Sequence, residues 1–363
     1  DLTVKKLFYV WLIVLIGALL TSCGQKAEIA LWGDPDCTQE LGEAFAPHGI
    51  HLGLDVAGSG SDRLLVVNHG LRESIEIFEL IDVGGNVPSL KWRGCVIAPE
   101  SIWFNDVANL PDGGFIASHM MKRGISAEEL LSRQTNGEPT GYALSWNSEN
   151  GWKKIDGSDG ILTNGVQTSP EGGVLYAAYS LGQEVRAIDL STGKTLWQVD
   201  DVQTPDNISW TPSGQLLVAS IRADLPTIRE CMGKKPAFCP IPFGILSIDP
   251  LSGESFYIAE GEGPPFGLAT VGVLAGSKIY MGSATGERLG IVEKCIDPSG
   301  PCEADGGISF MDGFAAPEDF EVLPGETRLL VSEYGGLGGE HPGTIKLLDL
   351  ETQNVRMLYP GKK

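Results

Sequence analysis

Four oxygen-bearing residues share one register in this chain. Asn105, Asn164, Asp206 and Glu318 each stand six positions before a turn proline, namely Pro111, Pro170, Pro212 and Pro324. Each opens a short polar stretch followed by the turn and then an apolar run such as Phe115-Ile-Ala-Ser or Leu216-Leu-Val-Ala-Ser. Asn and Asp are poor strand formers, so their return at strand starts asks for a reason. Carboxylates mixed with neutral amides, without Cys or Lys, form a donor set for Ca²⁺, which takes about six to eight oxygens in irregular geometry. Asn207, beside Asp206, adds another oxygen. The plainer alternative is that Asn and Asp open strands in any β-protein. Recurrence in four copies with coherent chemistry favours the metal.

The histidines supply the candidate bases. His69 closes the run Leu64-Leu-Val-Val-Asn-His69, and His119 closes Phe115-Ile-Ala-Ser-His119 in the next copy. Each alone reads as a structural histidine. At matching strand ends in neighbouring repeats, His69 and His119 become candidates for general base beside the metal. His341, in the Gly-rich stretch 335–343, is read as incidental.

These side chains need a scaffold that brings equivalent repeat positions together. Besides the four clear copies, looser ones start at His48 (His-Gly-Ile-His-Leu-Gly-Leu) and Phe266 (Phe-Gly-Leu-Ala-Thr-Val-Gly). Six starts at 48, 105, 164, 206, 266 and 318 give a mean spacing of 54 residues. Multi-stranded repeats of roughly 40–50 residues are the signature of propeller blades. The expected fold is therefore all-β, a six-bladed β-propeller over residues 37–363, whose first strands line a central channel. His48 and Phe266 would complete the ring, with Phe266 at the tunnel mouth. Segments such as Glu184–Leu190, Ile245–Ile248 and Thr344–Leu350 would supply outer strands. The best helical candidate, Ser126–Ser132, would lie between blades.

Composition agrees: 48 Gly and 22 Pro imply many turns. A formal net charge of −21 excludes the basic footprint of nucleic-acid binding and suits a protein that attracts cations. A monomer acting on a small molecule is expected. Lys5 and Lys6 precede an apolar run that ends Leu20-Thr-Ser-Cys23, the order of an export signal. That ending looks like a bacterial lipobox, so residues 1–23 are expected to be a lipoprotein signal with lipid on Cys23. Residues 24–36 would be a linker, and the location the periplasm or outer membrane. An uncleaved anchor helix is the alternative, although the run is short for a bilayer span. Six further cysteines in an oxidising compartment imply three disulfides. Close spacing favours Cys231–Cys239 and Cys295–Cys302, and elimination leaves Cys37–Cys95.

Residues 47–80 (Pro-His-Gly-Ile, Leu-Leu-Val-Val-Asn-His, Ile-Glu-Ile-Phe-Glu-Leu) resemble the segment of the paraoxonase/arylesterase family that bears its catalytic histidine. The pairs Asn105-Asp106, Asn164-Gly165, Asp206-Asn207 and Glu318-Asp319 resemble that family's calcium-binding segments, within the wider clan of gluconolactonase-like propellers. The resemblance implies a catalytic Ca²⁺ on Asn105, Asn164, Asp206, Asn207 and Glu318, a second, structural Ca²⁺ on Asp106 and Asp319, and His69 as base. Two departures stand out. The Glu-Asp blade comes last here, as if the order were permuted by one blade, with closure in that final blade through Ile29–Trp32. The family's second, proton-relaying histidine is expected near Arg93–Cys95, where this chain has none; His119 is the proposed substitute. The resulting expectation is a Ca²⁺-dependent hydrolase of lactones or aryl esters. The alternatives are a non-catalytic Ca²⁺-stabilised propeller acting as a cell-surface binding module and a sugar lactonase.

Overall fold

The computed structural model describes residues 32–82, 88–234, 238–293, 295, 307–336 and 342–361. Strands β1–β24 form six four-stranded antiparallel sheets, each made of four consecutive strands paired in chain order. The innermost strands are β1 (Pro47–Gly53), β5 (Phe104–Asn109), β9 (Thr163–Thr168), β13 (Pro205–Trp210), β17 (Ala269–Ala275) and β21 (Pro317–Val322). Each lies beside the innermost strand of the next sheet, and β21 lies beside β1, which closes the ring. The fold is a six-bladed β-propeller.

The second strands carry continuous apolar runs because both faces of every blade are covered. In β2 (Asp62–Asn68), Leu64 and Val66 belong to the core between the first and last blades, whereas Leu65 and Val67 belong to the core between the first and second. Six apolar clusters fill the six blade-to-blade junctions in this way. Burial between blades rather than at the axis leaves the channel open to polar side chains. The turns after the inner strands use glycine in the left-handed region, with φ of 92° at Gly113, 74° at Gly172 and 86° at Gly214.

Closure differs from the expectation. The last blade is completed by its own four strands, from Pro317–Val322 to Val355–Tyr359, and Trp32 lies instead under the Arg93 guanidinium on β4 (Ser89–Ile97) of the first blade. Asp34 N–H donates to Cys95 O at 2.9 Å, so this end of the expected linker is held against β4. Ile29–Leu31 lie outside the described residues. The seam between first and last blades is crossed by single hydrogen bonds: Gly335 N–H to Pro47 O (3.1 Å), Gly343 N–H to Phe45 O (2.9 Å) and Ser332 Oγ–H to His48 O (2.7 Å).

Two disulfides are present as expected, Cys37–Cys95 and Cys231–Cys239. Cys295 is also disulfide-bonded, and its expected partner Cys302 lies outside the described residues, as do Cys23 and His341. Such bonds belong to extracellular or periplasmic proteins. Among the described residues no helix is long and apolar enough to cross a membrane.

The expected helix exists as α1 (Ala127–Asn136), with Ser126 Oγ accepting from Glu129 N–H at its start. It lies within the second blade, between β6 (Phe115–His119) and β7 (Tyr142–Asn147), rather than between blades. A second helix, α2 (Leu225–Gly233), occupies the same connection of the fourth blade, between β14 (Leu216–Ile221) and β15 (Phe243–Ile248), and was not expected. Its start is capped by Asp224, which accepts from Thr227 N–H, with Pro226 in the first turn.

Candidate functional site

The second residue of each inner strand is the recurring chemical position: His48, Asn105, Asn164, Asp206, Thr270 and Glu318. At this point every inner strand carries one residue more than its neighbour. Pro47 pairs with Asn68 and Ile50 with Val66, so His48 and Gly49 oppose the single Val67. The same two-against-one count holds for Asn105-Asp106, Asn164-Gly165 and Asp206-Asn207. In β17 and β21 the extra residues are Thr270 and Glu318. A bulge breaks strict alternation and re-aims side chains. It explains how consecutive residues such as Asp206 and Asn207 both serve the axis.

The fifth blade corrects the repeat reading. Phe266 precedes β17 and packs in the core against Phe243 and Phe310, away from the tunnel. Thr270 holds the axial register instead, and its hydroxyl donates to Glu318 O at 2.7 Å. The weak copy around Phe266 had drawn the alignment onto an apolar core residue.

Among the candidate ligands, Asn164 contacts Asp206 and Asn207 contacts Glu318, while Asn105 holds the equivalent strand position in the second blade. Asn207, on β13, donates its Nδ2–H to Glu318 Oε1 at 2.9 Å across the width of the fifth blade. Asn164 Nδ2–H donates to Ser180 Oγ at 3.0 Å, and Asn105 Nδ2 faces Met120 Sδ at 3.7 Å. With their amino groups thus turned to protein partners, Asn105 Oδ1, Asn164 Oδ1, Asn207 Oδ1 and Glu318 Oε2 are all buried without a hydrogen-bond partner. An unsatisfied buried polar atom costs about 1–3 kcal/mol, so four together approach the whole stability of a domain, about 5–15 kcal/mol. An arrangement so costly fits a cation that the four oxygens would share. Among the described residues no three His, Cys, Asp or Glu converge as a metal cage. The donor set here is mostly amide, which suits a hard oxygen-seeking cation rather than zinc.

Electrostatics agree. Burial pushes the Asp206 carboxyl up to about 8 and Asp319 up to about 7. Glu318 and Asp106 lie well above the usual carboxylate range, by burial first and by the Asp319 charge second. Asp106 and Asp319 are held by paired backbone donors. Asp106 accepts from Val107 N–H (2.7 Å) and from Val166 N–H of the next blade (2.8 Å). Asp319 accepts from Phe320 N–H (2.8 Å) and from Ile50 N–H across the seam (2.7 Å). Both therefore staple neighbouring blades and border a cavity of about 420 Å³ at the far end of the channel, lined also by His51, Gln167 and Glu321. A larger groove of about 440 Å³ lies between the second and third blades and includes none of these groups.

His69 has a histidine neighbour in its own blade. His48 Nδ1 lies 3.0 Å from His69 Nε2, and His48 Nε2 faces Glu318 Oε1 at 3.7 Å. Antiparallel pairing of β1 with β2 brings position 48 next to position 69. Burial, then the repulsion that two imidazolium charges would feel across the contact with His69, holds His48 well below the ordinary imidazole range. His69 Nδ1 meets Glu73 at 3.0 and 3.1 Å. Among the described residues no hydrogen bond joins His119 to this pair, although it feels the charge of Glu73. Its Nδ1 accepts from Trp103 N–H at 3.1 Å, its ring contacts Tyr142, and burial lowers its pKa. Sequence reasoning put His48 at the axis but gave it no role, and it passed over Glu73. Four-residue spacing from His69 was the available signal for Glu73.

The connections after the second strands carry α1 and α2 on this end of the channel. Trp103, Met120, Met121, Leu130, Ile161, Leu162 and Leu225 form one apolar cluster there, and the Trp103 ring approaches His69 edge-on at 6.5 Å. Partnerless oxygens, a histidine pair and an apolar wall at one mouth could bind a carbonyl compound and move a proton.

No family model and no curated protein matches this sequence. Solved structures share the architecture. A chain of a nidogen/laminin complex is 12% identical with a TM-score of 0.53, covering 79% of this chain and 90% of that one. A PQQ-bound aldose sugar dehydrogenase from Streptomyces coelicolor is 12% identical with a TM-score of 0.50, covering 86% of this chain and 97% of that one. Blade count, strand order and these likenesses together identify the chain as a six-bladed β-propeller.

Proposed function

We propose that this protein is a Ca²⁺-dependent hydrolase of lactones or esters, of the kind its resemblance to the paraoxonase/arylesterase family implies. The observation that carries the reading is the set of four partnerless buried oxygens next to the His48–His69 pair. Asn105, Asn164, Asp206, Asn207 and Glu318 would hold the ion, whose chemistry is to polarise the ester carbonyl and stabilise the oxyanion. A second ion on Asp106 and Asp319 would offset the charge these two carboxylates impose on each other.

The base is His48 supported by His69, in place of His69 alone. His48 Nε2 faces the axis, takes a proton from water as the water oxygen attacks the carbonyl carbon, and returns it to the alkoxide oxygen when the ester C–O bond breaks. His69 accepts the His48 Nδ1–H and steadies the ring while it is charged. The apolar cluster around Trp103 suits a substrate with a hydrophobic portion. The decisive assay is hydrolysis of a panel of aryl esters and aliphatic lactones with and without EDTA. EDTA-sensitive turnover is expected. No turnover, with Ca²⁺ still bound, would favour the non-catalytic binding module, and turnover confined to sugar lactones would favour the sugar lactonase.

The anchor belongs to the same reading: export and lipid on Cys23 would hold a monomeric propeller at a bacterial membrane. Cys23→Ser is expected to move the protein from the membrane to the soluble fraction in cell fractionation, and an unchanged distribution refutes lipidation.

A further inference from the structure

Outside the metal set, one buried carboxylate touches the histidine pair. Glu73 follows His69 by four residues in the connection that leaves β2, and its side chain is 7% exposed. Three donors surround it. His69 Nδ1 lies 3.0 Å from Oε2 and 3.1 Å from Oε1, Phe104 N–H donates to Oε1 at 2.7 Å, and Arg123 Nη2 pairs with Oε2. Phe104 is the residue immediately before the candidate ligand Asn105, and Arg123 comes from the loop that leads into α1. One carboxylate therefore ties the relay of the first blade to the metal strand of the second.

From these contacts we propose that Glu73 is a positioning residue that decides which nitrogen of His48 carries the proton, with Arg123 and Phe104 N–H fixing it in that task. A carboxylate accepts only. Facing His69 Nδ1, it requires the proton there, which leaves His69 Nε2 as an acceptor. His48 Nδ1 must then be the donor across the 3.0 Å contact. The only arrangement left for neutral His48 is a bare Nε2, on the side that faces Glu318 and the axis. The chain Glu73–His69–His48 transmits one constraint over two rings, so a carboxylate remote from the reacting atoms keeps the base in its reactive tautomer. The effect on turnover rests on the hydrolase reading above, whereas the tautomer is a property of the protein alone.

Replacing Glu73 by Gln reverses the logic without changing shape. The buried Phe104 N–H keeps the one amide oxygen in the place of Oε1, while the half-exposed Arg123 can turn to water, so the amide nitrogen takes the place of Oε2, 3.0 Å from His69 Nδ1. His69 then takes the Nε2–H form, His48 Nδ1 becomes the acceptor, and His48 Nε2 is blocked by a proton. A test is ¹⁵N-histidine NMR on the full metal-free chain at neutral pH, paired with steady-state kinetics on an aryl ester in Ca²⁺. In the parent, His48 Nε2 is expected to be unprotonated. Glu73→Gln is expected to invert both histidines and to lower kcat by about 10²–10⁴-fold with little change in KM. Should that variant fail to fold, Glu73→Ala supplies the measurement: the parent tautomer is lost and is restored by added formate. A parent with His48 Nε2 protonated, or a Gln variant that keeps it bare, overturns the proposal, as does an Ala variant that keeps the parent tautomer or does not respond to formate. If the parent hydrolyses nothing but the tautomers invert, the hydrolase reading fails and the role of Glu73 stands.

Discussion

His48 faces Glu318 at one end of a hydrogen-bonded chain and His69 faces Glu73 at the other, so their losses should differ. His48→Gln removes the nitrogen at the axis and is expected to lower ester turnover by about 10²–10⁴-fold, the usual worth of a positioned base. His69→Gln leaves that nitrogen present but unsupported and should cost less. His119→Gln, which alters the contacts with Trp103 and Tyr142 and leaves the His48–His69 hydrogen bond in place, should cost least. Calcium titration calorimetry on the same variants should show binding retained. Equal kinetics for His48→Gln and the parent would remove histidine from the mechanism. The shared register of Asn105, Asn164, Asp206 and Glu318 was legible in the sequence because Asn and Asp at strand starts run against propensity. The role of His48 was not, because a hairpin partner twenty-one residues away makes it, and Glu73 depends on how a turn folds back.

At the scale of elements, the second strands and turns were readable because a blade covered on both faces must write continuous apolar runs closed by glycine turns. The bulges were not, since an extra residue in one strand shows only against its partner. A misaligned fifth blade was the result, with Phe266 in the place of Thr270. The disulfides give a graded test at this scale. Cys37–Cys95 spans 58 residues and Cys231–Cys239 spans 8. Chain entropy assigns them about 4 and about 2.5 kcal/mol respectively. The double alanine variant of the first pair is therefore expected to lose more stability in urea unfolding than that of the second. The opposite order would mean that the short loop around α2 carries more than closure entropy.

The whole molecule buries four acidic groups at one axis, and their raised pKa values have a direct thermodynamic consequence. A carboxyl whose folded pKa exceeds its unfolded one adds stability that is full below the unfolded value and is lost as pH rises through the folded value. For Asp206 and Asp319 that window runs from the ordinary carboxylate range up to about 8 and about 7 respectively. In EDTA, Tm is expected to fall as pH rises from 5 to 8. At 100 times its Kd, Ca²⁺ should raise Tm at pH 8 by about 4 °C and flatten the profile. A chelated protein whose Tm is level over this range would contradict the buried charge. The seam between the first and last blades carries a mechanical meaning as well. No strand ladder joins Pro47–Gly53 to Pro317–Val322, only separate bonds such as Ile50 N–H to Asp319. Under a pulling force applied at the two ends, every other junction is backed by a chain connection to the next sheet, whereas this one shears. The first rupture would carry Glu318 and Asp319 away from the axis together, so tension would take apart the proposed ligand set in one event.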